Sequence, residues 1–290
     1  MAELTVCLSF DFDTMSAFVF RGQNTPTWLS RGEFGARVGI VRVLGLLVEH
    51  GIRASFFVPG YTADSFPDRV RAIRDGGHEI GNHGYLHEPP AQAAGDPEQE
   101  RAVLLKGNDA LQRAAGVVPA GYRSPSWDLS DHSVRLLQEE GFVYDSSLMA
   151  DDFHPYLCRE GDQINPAGGY IMGRETDLVE LPVSWILDDF PYFEFRPGDS
   201  IMAAASQVYE IWRDEFDYAY EHVTGGVFTL TMHPYVIGRG HRIAMLDRLI
   251  HRMRSRTGVR FATMAEVAAD AKPRLLAARS AGAGSPMAAS

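Results

Sequence analysis

The sequence predicts a single α/β domain of barrel type, and three observations carry that expectation. Short β-rich apolar runs alternate with amphipathic helical patterns along almost the whole chain, which implies parallel strands with covering helices. No Pro/Gly-rich linker divides the chain, and no internal repeat is visible. Barrel folds routinely run to ~200–250 residues as one domain, so a chain of 290 residues needs no second one.

The elements follow in order. Residues 4–10, LTVCLSF, are rich in β-formers and read as the first strand. Residues 33–50 place Val38, Val41, Leu44, Leu47 and Val48 at helical spacing and stop at Gly51. Residues 53–58 read as a strand, 67–75 as a short helix closed by Gly76-Gly77, and 78–81 as a third strand. The helix over 96–115 has Asp96 as its cap and Pro97 in its first turn. A brief strand at 121–123 precedes a helix over 130–140 with Ser130 as N-cap. Then come strands at 142–144 and 179–182, a helix at 199–217, a strong strand at 226–232 and a helix at 242–256. A strand at 259–262 and a helix at 263–270 end the series. Stretches 14–32 and 146–178 are expected to be long loops. Residues 271–290, AKPRLLAARSAGAGSPMAAS, are small and low in complexity and are expected to be a disordered tail to a domain spanning 1–270.

Composition excludes several classes. Hydrophobic residues at 45% and charged residues at 22% rule out a disordered, collagenous or coiled-coil chain. A net charge of −11 argues against binding nucleic acid or an anionic membrane. Cys7 and Cys158 fit no CxxC spacing and are expected to be free thiols of a reducing compartment. The N-terminus lacks the basic and apolar regions of a leader, and no apolar run approaches the ~18 residues of a membrane span. A cytoplasmic protein is expected, and a homo-oligomer is compatible with the sequence.

Four segments carry titratable groups just after strands, where parallel α/β folds place their sites. In Ser9-Phe10-Asp11-Phe12-Asp13 an extended chain puts Asp11 and Asp13 on one face and the two Phe on the other. His83 and His87 stand four apart in HGYLH, and a helical turn would put both on one face. With Asp13 they make two imidazoles and a carboxylate, a three-ligand metal set with open positions. Arg123, in GYRSPSW, can hold a carboxylate ionised. His233 lies at the tip of a strand that Pro234 ends. Each segment alone also fits a structural role; the four together, at one end of a sheet, point to a catalytic site with open positions for water and substrate.

In this order, SFDFD, HGYLH, RSPSW and MHP resemble the motifs of the polysaccharide deacetylase family (carbohydrate esterase family 4, NodB homology). The resemblance spans nearly the whole chain, from Leu4 to about Ala268. It implies a deformed (β/α) barrel, commonly seven-stranded, and a divalent metal held by Asp13, His83 and His87. Zinc is the first expectation for that donor set, with cobalt, nickel or manganese also accepted. The resemblance further implies Asp11 as the base acting on metal-bound water, Arg123 as its ionic partner and His233 as the acid. Ser126, with Pro125 and Trp127 around it, would supply an oxyanion-binding N–H. The family's usual adjacent aspartates are separated here by Phe12, a spacing similar to peptidoglycan-deacetylase-like and allantoinase-like members. Its DxxDW motif has no direct match; 181–189, LPVSWILDD, is the segment that can supply equivalents, and the partner of His233 is open.

The expected activity is metal-dependent hydrolysis of a non-peptide C–N amide, either an N-acetyl group on a sugar or related metabolite or, alternatively, a cyclic amide or imide. A non-catalytic sugar-binding or assembly protein would have lost Asp11 or a ligand, and none is lost. A dinucleotide-binding protein is disfavoured because no GxGxxG follows the first strand. Aromatic residues in 18–28, 153–156 and 185–195 would shape the pocket or pack the loops around it.

Overall fold

The computed structural model describes residues 4–93, 96–195 and 202–282. Its strands are β1 (Leu4–Asp11), β2 (Ser55–Val58), β3 (Glu79–Asn82), β4 (Gly121–Tyr122), β5 (Tyr144–Asp145), β6 (Tyr156–Glu160), β7 (Gln163–Asn165), β8 (Gly169–Ile171), β9 (Arg174–Glu180), β10 (Val227–Met232) and β11 (Val259–Phe261). β1 is buried at every position because it has strands on both edges and cover on both faces. β10 lies along one edge. The other edge is shared, with β11 beside residues 4–6 and β2 beside residues 9–11. From β2 the parallel sheet continues through β3, β4, β5 and β9, and β6 ends it as an antiparallel edge.

The sheet curls into a half-barrel, the deformed (β/α) barrel that the sequence predicts, with nine strands among the described residues where seven are expected. One isolated parallel bridge, Asp188 with Thr231, brings the chain beyond β9 against β10. The core is aliphatic and aromatic, with Phe10 stacked on Phe56 and Trp212 and Phe216 fully buried. Cys7 and Cys158 are both free and buried. Among the described residues no helix is long and apolar enough to cross a membrane.

Several boundaries differ from the sequence expectation. Stretch 14–32 is largely helical, in Ser16–Phe20 and Pro26–Phe34, with Pro26 opening the second helix. That helix passes through a π-turn, Gly35–Gly39, into Ile40–His50. The turn lets the chain press on the residues after His233: a Cβ at Gly39 would lie 2.0 Å from the Pro234 carbonyl oxygen. Stretch 146–178 contains β6, the β7–β8 hairpin and the start of β9. The helix expected from Ser130 begins at Ser133, because the Ser130 hydroxyl accepts from His132 N and donates to Glu100. The helix expected over 199–217 is Ala205–His222; residues 199–201 lie outside the described residues.

The expected tail is corrected as well. A capping box of Thr263 and Glu266 starts a helix that runs to Ser280 despite Pro273 inside it. Leu275 and Leu276 pack on the cluster around Cys7 and Val179, and Arg279 pairs with Asp177. These contacts override the local composition. Residues 283–290 of the expected tail lie outside the described residues.

Two glycines of neighbouring helical turns should respond oppositely to alanine. Gly39→Ala meets the Pro234 carbonyl and should destabilise by about 1–3 kcal/mol, as overpacking does. Gly45 has nothing within 4 Å of an added Cβ, so Gly45→Ala should stabilise by about 0.5–1 kcal/mol through helix propensity. Urea unfolding of the two variants checks the pair.

Candidate active site

Asp11, Asp13, His83, His87, Ser126, Trp127 and His233 line one cavity of about 580 Å³. They arrive from the C-terminal ends of β1, β3, β4 and β10, as the sequence predicts. Pro125 is buried beside them and is not a lining residue. Alternation along β1 sends Phe10 and Phe12 into the core and Asp11 and Asp13 toward the cavity.

Arg123 organises the site although it is wholly buried. Its Nη1 donates to Asp11 Oδ1 at 2.8 Å and to Ser9 Oγ at 3.0 Å. Its Nε and Nη2 donate to the Ser146 carbonyl and hydroxyl. The guanidinium also lies over the Phe57 ring, 4.2 Å from its centroid. Burial alone would raise the Asp11 pKa, but Arg123, with His83 and His233 behind it, lowers it. Asp11 is therefore held as a carboxylate whose Oδ2 faces the cavity. Ser9 was not singled out in the sequence, although alternation puts it on the same face as Asp11 and Asp13.

Asp13, His83 and His87 present ligand atoms within 4.8 Å of one another. His83 Nε2 is 3.5 Å from Asp13 Oδ1, and His87 Nε2 is 3.5 Å from Asp13 Oδ2. Asp13 Oδ1 and His83 Nε2 are buried and have no hydrogen-bond partner, a costly arrangement unless a cation takes their lone pairs. His83 Nδ1 donates to the Arg123 carbonyl at 2.7 Å, which turns the Nε2 lone pair toward Asp13. Burial and the neighbouring His83 push the His87 pKa well below its ordinary value, favouring the neutral imidazole that metals bind. The residues present thus fit a divalent metal ion. HGYLH makes no helical turn; instead Gly84 (φ 69°) and His87 (φ 68°) take left-handed conformations that fold the imidazoles together.

His233 is oriented by Asp189, the partner the sequence left open. Its Nδ1 lies 2.8 Å from Asp189 Oδ1, and its backbone N–H donates to the same carboxylate. Asp188 Oδ1 stands 3.6 Å from the same nitrogen. Burial opposes charging His233, but Asp188 and Asp189 outweigh it and raise its pKa well above the ordinary histidine range. The pair falls in 181–189, the segment expected to stand in for DxxDW. Sequence alone could not choose between the two aspartates, because a 3₁₀ turn at Trp185–Leu187 decides their directions.

The RSPSW segment turns through Ser126 (φ 59°) and Trp127 (φ 54°). Among the described residues the non-glycine positions with left-handed φ are Thr14, His87, Ser126 and Trp127, each in or beside the site. Trp127 stacks near Trp185, centroids 4.2 Å apart, and with Phe18, Trp28 and Phe190 they wall the cavity. Phe153, from another aromatic stretch, is packed in the core instead. Beneath the turn, Ser124 N donates to Ser147 Oγ, which donates to Asp145 Oδ1. Glu180 Oε1 accepts from Ser147 N and Leu148 N. Asp145 and Glu180 are wholly buried on paired strands. Burial raises Asp145 to about 6, and burial and Asp145 raise Glu180 well above the usual carboxylate range.

The profile of the family described as polysaccharide deacetylase matches residues 33–144. The chain is 35% identical over 283 residues to the peptidoglycan deacetylase of Helicobacter pylori, covering 92% of this chain and 96% of that protein. The chain belongs to the polysaccharide deacetylase family, hydrolases that act on the C–N amide bond of acetylated sugars. Its fold matches a crystal structure of a Mycobacterium smegmatis protein assigned to the polysaccharide deacetylases, with TM-score 0.82 and 37% identity over 94% of this chain and 91% of that one. It also matches an allantoinase structure at TM-score 0.75 and 23% identity, over 92% and 89% of the two chains, a likeness of fold.

The buried acid pair beneath the turn gives a pH test. Both carboxyls bind protons more tightly folded than unfolded. Stability from them is full below the unfolded range near pH ~4 and is lost as pH rises through about 6 and above. Glu180→Gln keeps the acceptor for Ser147 and Leu148 and offers an N–H to Asp145, so it should flatten that loss between pH 5 and 8. Urea unfolding across the series reads it, and a variant whose stability falls in parallel with the wild type would contradict the shared protonation.

Proposed function

We propose that the protein hydrolyses the N-acetyl group of an acetylated amino sugar or short saccharide, with Asp13, His83 and His87 holding a divalent cation. Zinc suits two imidazoles and a carboxylate best; cobalt, nickel and manganese suit the same donors. When bound, such a cation acidifies water and polarises an acyl oxygen.

The observation that carries this reading is a fixed base and a fixed acid facing each other beside the ligand set. Asp11 Oδ2 and His233 Nε2 are 4.0 Å apart, each locked from behind, one by Arg123 and the other by Asp189. Asp11, kept ionised, takes the proton of the attacking water through Oδ2. His233, kept protonated on Nε2, gives a proton to the departing amine, without which an amide C–N bond does not break readily. Ser126 stands at the cavity wall, where its N–H is the donor for the developing oxyanion; one such donor is typically worth ~3–4 kcal/mol. Pro125 and Trp127 fix the turn that presents it. The aromatic walls suit the apolar faces of a pyranose, and the Helicobacter relative is by name a deacetylase of an acetylated glycan.

Three measurements test the assignment. Acetate release from N-acetylated mono- and oligosaccharides, with each metal restored in turn, should exceed ring opening of allantoin and cyclic imides; ring opening without acetate release would replace the reading with a cyclic amide hydrolase. Asp11→Asn should retain the metal yet lose on the order of 10²–10⁴ in turnover. His233→Ala should slow an amide by a similar factor and an activated ester far less, because the ester's leaving group needs no proton; equal losses on both would remove His233 from the acid role.

A further inference from the structure

A second set of two imidazoles and one carboxylate lies at the other end of the fold. His50 is the last residue of the helix Ile40–His50, where Gly51 (φ 61°) ends it in a left-handed cap. Asp247 and His251 stand four apart on the helix Gly240–Arg254 and so share a face. His50 and His251 are late in helices whose chains then lead into the starts of β2 and β11, whereas the proposed catalytic residues lie at or after strand ends. The two sets therefore occupy opposite ends of the sheet.

The local geometry is convergent. Asp247 Oδ1 lies 2.7 Å from His50 Nε2 and 3.2 Å from His251 Nδ1, so one oxygen faces both rings. The rings are nearly perpendicular, 81°, with centroids 4.7 Å apart. One ligand atom from each of the three residues lies within 4.8 Å of the other two. His50 is buried while the His251 side chain is 70% exposed. The result is a set anchored on one side and open to solvent on the other. Arg254 is the nearby cation, and it is engaged by the His50 carbonyl oxygen.

We propose that His50, Asp247 and His251 form a second transition-metal site, separate from catalysis, that clips these two helices together. Two imidazoles and a carboxylate suit Zn²⁺, Ni²⁺ or Cu²⁺, with water completing the coordination. Binding requires both imidazoles neutral, and each gives one nitrogen lone pair to the ion in place of its present hydrogen bond, that of His50 Nε2 with Asp247 Oδ1 and that of His251 Nδ1 with the Asp247 backbone carbonyl. No oxidant or further reactant is involved. A ligand that binds only the folded chain stabilises it by mass action, so the clip adds stability only when the metal is supplied.

The test uses the full chain, stripped with a chelator and reloaded with Zn²⁺, and counts bound metal after gel filtration. The wild type should hold two equivalents, His83→Ala one, His251→Ala one, and the double variant none. In the His83→Ala background, Zn²⁺ should raise the thermal midpoint by several degrees, and both His251→Ala and His50→Gln should abolish that rise. His251 is exposed, so its loss should not disturb folding. The proposal is overturned if His251→Ala holds as many equivalents as the wild type, or if the zinc-induced rise survives both peripheral substitutions. It is independent of the catalytic assignment: one equivalent, kept in His83→Ala and lost in His251→Ala, would sustain this site and remove the catalytic one.

Discussion

The buried pair of Arg123 and Asp11 is the constraint on which the rest of the site depends. A guanidinium with no solvent contact must have its donors met, and here Ser9 and Asp11 of β1 and Ser146, just after β5, meet them. Breaking such a pair from one side leaves an uncompensated buried charge, a cost of ~3–5 kcal/mol. The same residue's carbonyl fixes the tautomer of His83. One side chain and its own backbone therefore set the charge of the proposed base and the direction of a proposed ligand. Neither can be retuned without the other.

The fold was legible because its signals are periodic and its strands have definite ends. β1, β10 and the Ile40–His50 helix come from runs in which burial and propensity agree. The candidate site was legible because Asp11, Asp13, His83, His87, Arg123 and His233 all lie at or just after strand ends on one side of the sheet. What escaped reading depends on tertiary packing. The helix that continues past Pro273 is held by Leu275, Leu276 and Arg279, contacts that no local rule anticipates. The choice of Asp189 over Asp188 as the hydrogen-bonded partner of His233 rests on a three-residue turn. The pairing of Asp145 with Glu180 joins residues far apart in sequence, and nothing in either neighbourhood marks it.

The site also shows where backbone strain has gone. Left-handed φ at Thr14, His87, Ser126 and Trp127 lies against the usual preference of residues with a Cβ. Each conformation is overdetermined by its surroundings. The Asp13 carbonyl, next to Thr14, accepts from both Ser16 and Thr62, and Ser124, next to the RSPSW turn, is tied to Ser147. A glycine at His87 would relax the loop but remove the ring, so the chain keeps the strained residue whose imidazole lines the candidate site.

The half-barrel's seam has its own consequence. The segment that meets β10 through a single bridge, Asp188 with Thr231, is the segment that carries Asp189. It is built from a three-residue turn and a four-residue helix, Phe190–Phe193, far less cooperative than the sheet around it. Local opening there would release the imidazole of His233 from its carboxylate while Asp13, His83 and His87, on the other side of the ring, stayed in place. In amide hydrogen exchange the Asp189 and His233 N–H groups should therefore exchange through a shallower opening than those of β1, so that the alignment of His233 and the geometry of Asp13, His83 and His87 fail on different timescales.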